Sequence, residues 1–205
     1  MTCNIDNAVN IVISGVGGQG VLTLAEILAK SALSQSYNVR VGEIHGMAQR
    51  GGHVVCTVRI GKNAYGPVVD AGTAQLLIGF EPIETLREIQ TIAKDGHVLM
   101  NSHILYPVAV SMGQVEYPKH EEIVTNIKKF TNNLVEIDAM KLAIQAGSSR
   151  SLNMVMFGGL IGTGIIPISE ESALKEIRNA FPKKFEIVNT TAFQLGLQAV
   201  QSVSQ

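Results

Sequence analysis

Residues 10–34 read Asn10-Ile11-Val12-Ile13-Ser14, then Gly15-Val16-Gly17-Gly18-Gln19-Gly20, then Val21 onward with Leu22, Ala25, Leu28, Ala29 and Ala32 at helical spacing. A short β-branched run, a glycine-rich turn and a periodic apolar segment predict strand, loop and helix. Gly15, Gly17 and Gly20 satisfy G-x-G-x-x-G in the context that gives this motif meaning. Glycine permits a tight turn and close backbone approach, and the helix start offers free N–H groups and partial positive charge to a phosphate or carboxylate. Gly15, Gly17, Gly18, Gln19 and Gly20 are therefore candidate ligand-binding residues. Glu43, which follows Gly20 by 23 positions, is a candidate ribose-binding acid. The same glycines serve a ligand-free β–α crossover equally well, and Gln19 suits a helix cap as readily as a ligand contact.

The rest of the chain extends this alternation. Strands are predicted at 38–42, 53–60, 75–80, 97–101 and 134–137. Residues 64–69 are expected to return against 53–60 as a β-hairpin, with Gly61-Lys62-Asn63 as the turn. Helices are expected from Pro82, over 121–130 and 139–146, and at 152–165, 170–180 and 188–203. The expected fold is α/β in three layers, with a mostly parallel sheet, a β-hairpin and a helical C-terminal part, as one domain over 1–205.

Composition narrows the function. The 205 residues are 46% hydrophobic with a formal net charge of −1, which suits a sizeable core. Lysine pairs occur at 128–129 and 183–184, without the basic face of a nucleic-acid binder. Cys3 and Cys56 stand apart, which predicts a reducing, cytoplasmic setting, and two thiols cannot supply the four ligands of a usual iron–sulfur cluster. The N-terminus has no basic region before a long apolar run, so no signal peptide is read there. The uncharged segment 151–169 imitates a membrane span, but its four glycines, Asn153 and Pro167 predict a core or interface helix.

The loop 45–52, His45-Gly46-Met47-Ala48-Gln49-Arg50-Gly51-Gly52, is polar and glycine-flanked. Arg50 suits bidentate capture of a carboxylate or phosphate, and an inter-subunit ion pair equally. His45, Met47, Gln49, Arg50, Gly51 and Gly52 are expected to form a substrate or interface loop. His45 and His53 bracket this loop with Glu43 nearby, but no third ligand falls at helical or hairpin spacing, so no metal is assigned. No catalytic nucleophile is assigned, since Ser14 lacks G-x-S-x-G and Cys56 falls in a strand.

GVGGQG, with EIHGMAQRGGHVVCTVRIG at 43–61, resembles the γ-type chain of 2-oxoacid:ferredoxin oxidoreductases. LLIGFEP at 76–82, EIDAMKLAIQAG at 136–147, NMVMFGGL at 153–160 and PKKFEIVNTTAFQLG at 182–196 extend the resemblance over nearly the whole chain. HGMAQRGG and PKKF are most similar to indolepyruvate oxidoreductase β subunits. The resemblance implies a complex that oxidatively decarboxylates a 2-oxoacid (a ketoacid such as pyruvate, or indolepyruvate) to an acyl-CoA. Thiamine diphosphate, magnesium, iron–sulfur clusters and coenzyme A would be held on or with partner chains. This chain offers Asp70-Ala71-Gly72 where a thiamine site needs Gly-Asp-Gly, so it is expected to bind none of these alone. Its implied role is an accessory subunit that walls the active site beside a large thiamine- and cluster-bearing subunit, passing electrons to ferredoxin through the complex. It should be inert in isolation and able to self-associate through exposed apolar surface. An independent NAD(P)-binding Rossmann enzyme, an adenylating protein and a purely structural assembly subunit are the competing readings.

Overall fold

The computed structural model describes residues 8–45, 51–106 and 108–203. In chain order its elements are β1 (Val9–Val16), α1 (Val21–Ser34), β2 (Val39–His45), β3 (His53–Ile60), β4 (Ala74–Gly79), α2 (Pro82–Arg87), β5 (Ile92–Asn101), α3 (Val108–Ser111), α4 (His120–Ile127), β6 (Asn133–Ile137), α5 (Ala139–Ala146), α6 (Leu152–Gly162), α7 (Glu170–Ala180) and α8 (Glu186–Val203). The sheet order is β2-β3-β1-β4-β5-β6. The pairs β1–β4, β4–β5 and β5–β6 are parallel, and β2–β3 and β3–β1 are antiparallel. The sheet is mixed with a parallel majority, and β1 lies inside it as expected.

The expected hairpin between 53–60 and 64–69 does not form. Both hydrogen-bonding edges of β3 are already taken, by β2 on one side and β1 on the other. Residues 64–69 instead cross the face of β3, held by its side chains. Arg59 donates through Nε to Asn10 Oδ1 (2.9 Å) and through Nη1 to the carbonyls of Gly66 (3.0 Å) and Val68 (3.1 Å). Thr57 Oγ1 donates to the Pro67 carbonyl at 2.7 Å. The hairpin of this fold is β2–β3. The helix starting at Pro82 is also shorter than its apolar spacing suggests, because Ile92 already opens β5.

Alternation along the strands divides the core. Ile11, Ile13, Cys56, Val58, Leu76, Ile78 and Leu99 face α1 and the helices α5 to α8. Val12, Leu77, Val98 and Met100 face the other side, with Ile123 and Ile127 of α4. The segment read as a false membrane span supplies α6, which is buried from Leu152 to Ile161. Among the described residues no helix is long and apolar enough to cross a membrane.

α6 and α8 cross at a pair of glycines. A Cβ on Gly158 would lie 1.8 Å from the Phe193 carbonyl oxygen, and one on Gly196 would lie 1.9 Å from that of Val155. Backbone cannot yield as a side-chain tip can, so either methyl must push the helices apart. Gly196→Ala should therefore destabilise the fold by about 3 kcal/mol or more, although alanine favours helix locally. Denaturant unfolding checks this, and a neutral or stabilising result would contradict the close crossing.

Candidate functional site: the glycine-loop cleft

Two successive antiparallel pairings make β2 run the same way as β1. The carboxyl ends of β1, β2, β4, β5 and β6 thus share one edge with the start of β3, where Val16 lies opposite His53. The chain leaves β1 toward β2 and leaves β4 toward β5, on opposite sides. The gap between β1 and β4 is a topological switch point, where open α/β sheets form their crevices.

Gly18 and Gly20 have φ of 103° and 87°, in the left-handed region that glycine adopts without strain. Gln19 does not cap α1. Its Oε1 accepts from the Val16 amide at 2.8 Å and its Nε2 donates to the Phe80 carbonyl at 3.1 Å. Asn101, fully buried, donates to the same carbonyl at 3.0 Å, and its Oδ1 accepts from the Ala139 amide at 3.0 Å. The loop is therefore latched to the ends of β4 and β5 and to the start of α5.

Above it lies an open cleft of about 450 Å³, walled by His103 and Leu105 after β5, Met140 of α5, and Ser149, Arg150 and Leu152 at the start of α6. The N-termini of α1 and α6 both meet this region. Neither has a side-chain cap or an acidic residue in its first turn. A helix start carries partial positive charge that attracts anions, as does Arg150. Asn153 is 7% exposed and packs on Gly20, where a Cβ would lie 2.7 Å from its Nδ2. No hydrogen bond among the described residues engages its side-chain amide.

The second sequence-predicted segment reaches the same place. Gly17 donates to the Gly52 carbonyl at 2.8 Å, and Gly51 donates to the Gly17 carbonyl at 3.3 Å. His45 ends β2 at this edge, its backbone paired with Val54. Met47, Gln49 and Arg50 lie outside the described residues. Glu43 is not brought to the glycine loop. It sits opposite Cys56, which sits opposite Ile13, so it lies level with mid-strand and two strand spacings from β1, roughly 10 Å. The inserted antiparallel strand β3 separates it from the position a ribose-binding acid needs.

Behind the edge, α2 carries buried carboxylates. Glu81 caps it by accepting from the amides of Ile83 (2.8 Å) and Glu84 (3.1 Å), and the Tyr117 hydroxyl donates to it. Burial raises the pKa of Glu81 despite these hydrogen bonds, and burial with the adjoining carboxylate raises that of Tyr117. His53 is held by Glu84 and Glu88 of this region, not by Glu43. Among the described residues no three His, Cys, Asp or Glu side chains gather as a metal site would require.

Residues 10–199 match the family described as pyruvate ferredoxin/flavodoxin oxidoreductase. The chain belongs to this family. Indolepyruvate oxidoreductase subunit IorB of Pyrococcus horikoshii is 45% identical over 195 residues, which span 95% of this chain and 96% of that protein. Among solved structures, the γ subunit of a keto/oxoacid ferredoxin oxidoreductase from Geobacter sulfurreducens shares the fold with a TM-score of 0.70 at 20% identity, covering 95% and 99% of the two chains. The 2-oxoglutarate:ferredoxin oxidoreductase from Magnetococcus marinus, solved with 2-oxoglutarate, coenzyme A and succinyl-CoA, gives 0.71 at 18%, with 95% of this chain matched to 31% of that one.

The α/β expectation holds, with the fold shared by that γ subunit. Sequence reading missed His103, Met140 and Arg150 as cleft walls. Each is an ordinary residue locally, and only the parallel order β1-β4-β5-β6 brings their segments together.

Cys56 lies in β3, as its place in a predicted strand implied, and is fully buried. Burial first, and Glu43 second, push its pKa up to about 12. The folded chain holds this proton more tightly than the unfolded chain, whose thiol ionises at about 8.5. Its contribution to stability is full below that pH and is lost as pH rises toward the folded value. Iodoacetamide at pH 8 should leave Cys56 unmodified in the native protein and label it in guanidinium. Melting temperature should also fall as pH rises above about 9. Native labelling at the unfolded rate would contradict the burial.

Proposed function

We propose that this chain, over 1–205 as a single γ-type domain, is the accessory subunit of a 2-oxoacid:ferredoxin oxidoreductase acting on indolepyruvate or a similar aryl 2-oxoacid. The observation that carries the reading is the end-to-end match with an indolepyruvate oxidoreductase subunit at 45% identity. A larger partner supplies thiamine diphosphate, magnesium and the iron–sulfur clusters, consistent with only two cysteines in this sequence. Decarboxylation and electron transfer to ferredoxin belong to that partner.

The contribution of this chain is the carboxyl edge of its sheet. The glycine loop (Gly15, Gly17, Gly18, Gln19 and Gly20) and the loop 45–52, with His45, Met47, Gln49, Arg50, Gly51 and Gly52, face the assembled active site. The uncapped starts of α1 and α6, with Arg150, hold the anionic end of coenzyme A. Leu105, Met140 and Leu152 exclude water beside it, and Asn153 offers its amide at the base. Two cationic-capable side chains, His103 and Arg150, and no carboxylate line the cleft among the described residues, which supports this polarity. The competing NAD(P) reading loses its acid, since Glu43 lies apart from the loop.

Four measurements test the proposal. Purified alone, the chain should carry no stoichiometric iron and should reduce no dye with any 2-oxoacid. Co-produced with its large subunit, it should form a complex that reduces methyl viologen with indolepyruvate and coenzyme A. In that complex Arg150→Ala should raise the KM for coenzyme A about tenfold or more, as loss of a charged hydrogen bond of about 1.5–3 kcal/mol requires. Arg50→Ala should cost activity or assembly by about 1–3 kcal/mol while the isolated chain melts unchanged. Turnover by the isolated chain would overturn the subunit reading, and an unchanged KM in Arg150→Ala would overturn the cleft.

A further inference from the structure

His53 opens β3 at the carboxyl edge, and both of its ring nitrogens face carboxylates. Nδ1 makes a short contact with Glu84 Oε2, and Nε2 lies 3.1 Å from Glu88 Oε1. Glu84 is almost fully buried, with 4% side-chain exposure, and its other oxygen lies 3.8 Å from Arg87 Nε. A histidine held at both ends cannot rotate, because turning the ring breaks both contacts at once. Its backbone is therefore fixed relative to α2.

One residue separates His53 from the glycine loop. Gly52 accepts from the Gly17 amide at 2.8 Å, and Gly51 donates to the Gly17 carbonyl at 3.3 Å. Gly17 and Gly18 form one lip of the cleft. The opposite flank of this loop is latched through Gln19 to Phe80, the residue before the Glu81 that caps α2. Both sides of the glycine loop are thus referred to the same short helix, one through Gln19 and one through His53. Without the His53 grip, the Gly51–Gly52 strap keeps its glycine freedom and the Gly17 lip loses its outer support.

We propose that His53, clamped between Glu84 and Glu88, is a positioning residue that fixes the Gly17–Gly18 lip of the cleft and so sets the affinity for the ligand held there. It touches neither ligand nor reacting atoms and acts through Gly52 and Gly17. This rests on the reading that the cleft is occupied in the assembled enzyme. It distinguishes α2 from a plain crossover helix: the acidic residues Glu84 and Glu88 serve the far side of β1.

The test uses the assembled complex with coenzyme A as varied substrate. His53→Ala should raise KM about five- to twentyfold, with kcat per assembled complex within about twofold, as expected when binding geometry is lost and chemistry is not. His53→Gln, which restores a donor toward Glu84, should recover part of the KM. A purely structural role would lower melting temperature and the yield of active complex without moving KM. That outcome, or an equal fall in kcat with no change in KM, overturns the proposal. Arg150→Ala runs alongside. A raised KM in Arg150→Ala with wild-type KM in His53→Ala rejects the clamp and keeps the cleft, whereas wild-type KM in both rejects the cleft itself.

Discussion

The carbonyl of Phe80 accepts from Gln19 Nε2 and from Asn101 Nδ2, while the amide of the same residue donates to the Ser14 carbonyl at 2.8 Å. One peptide-bearing residue thereby joins β1, the glycine loop, the end of β4 and the end of β5. A buried carbonyl has two acceptor directions, and here both are filled by side-chain amides. Asn101 is itself completed by the Ala139 amide, so the start of α5 is tied into the same node. Every element that walls the cleft, apart from α6, is positioned through this residue or its immediate neighbours. The position of α6 comes from the opposite kind of force. It has no polar face and is held by burial on all sides and by glycine-mediated contact with α8.

The electrostatic character of the cleft follows from what its helices lack. α2, α5 and α7 each have a side-chain cap, from Glu81, Asp138 and Ser169 respectively. α1 and α6, whose starts meet the cleft beside that of α5, have none, nor does α4. Uncapped N–H groups cost little when water or an anion reaches them, and they are anion-attracting when they stay free. The acidic residues of the edge, Glu81, Glu84 and Glu88, stand at α2, where Tyr117 and His53 engage them. Arg150 and no carboxylate line the cleft among the described residues.

Much of this was legible in the residues, and the reasons for the failures are physical. β1, the glycine loop and α1 follow from local chemistry: β-branched residues, left-handed glycines and an apolar helical stripe. α7 matches its expected range, 170–180, because a serine cap and two first-turn glutamates mark its start. The buried nature of α6 was readable from its glycines and Asn153. Strand partnership was not, since HVVCTVRI carries no sign of which neighbours occupy its edges, and a nearby β-rich segment was the obvious but wrong choice. The same non-local fact displaced Glu43. Arg150 and His103 gave no signal at all, being a polar loop residue and a lone histidine until the sheet order sets them across the cleft from Gly17. Asn153 marked the segment only as unsuited to lipid, and its place against Gly20 is a finding of the packing.

If the carboxyl edge of the sheet is the working face of the subunit, assembly must bury it. Amide hydrogen exchange on this chain, alone and in complex with its large subunit, tests it directly. Protection gained on assembly should concentrate in peptides covering residues 17–23, 51–53, 102–106 and 149–153, with further gain there when coenzyme A is added. Protection confined to the outer faces of α4 and α7, with these four segments unchanged, would contradict it.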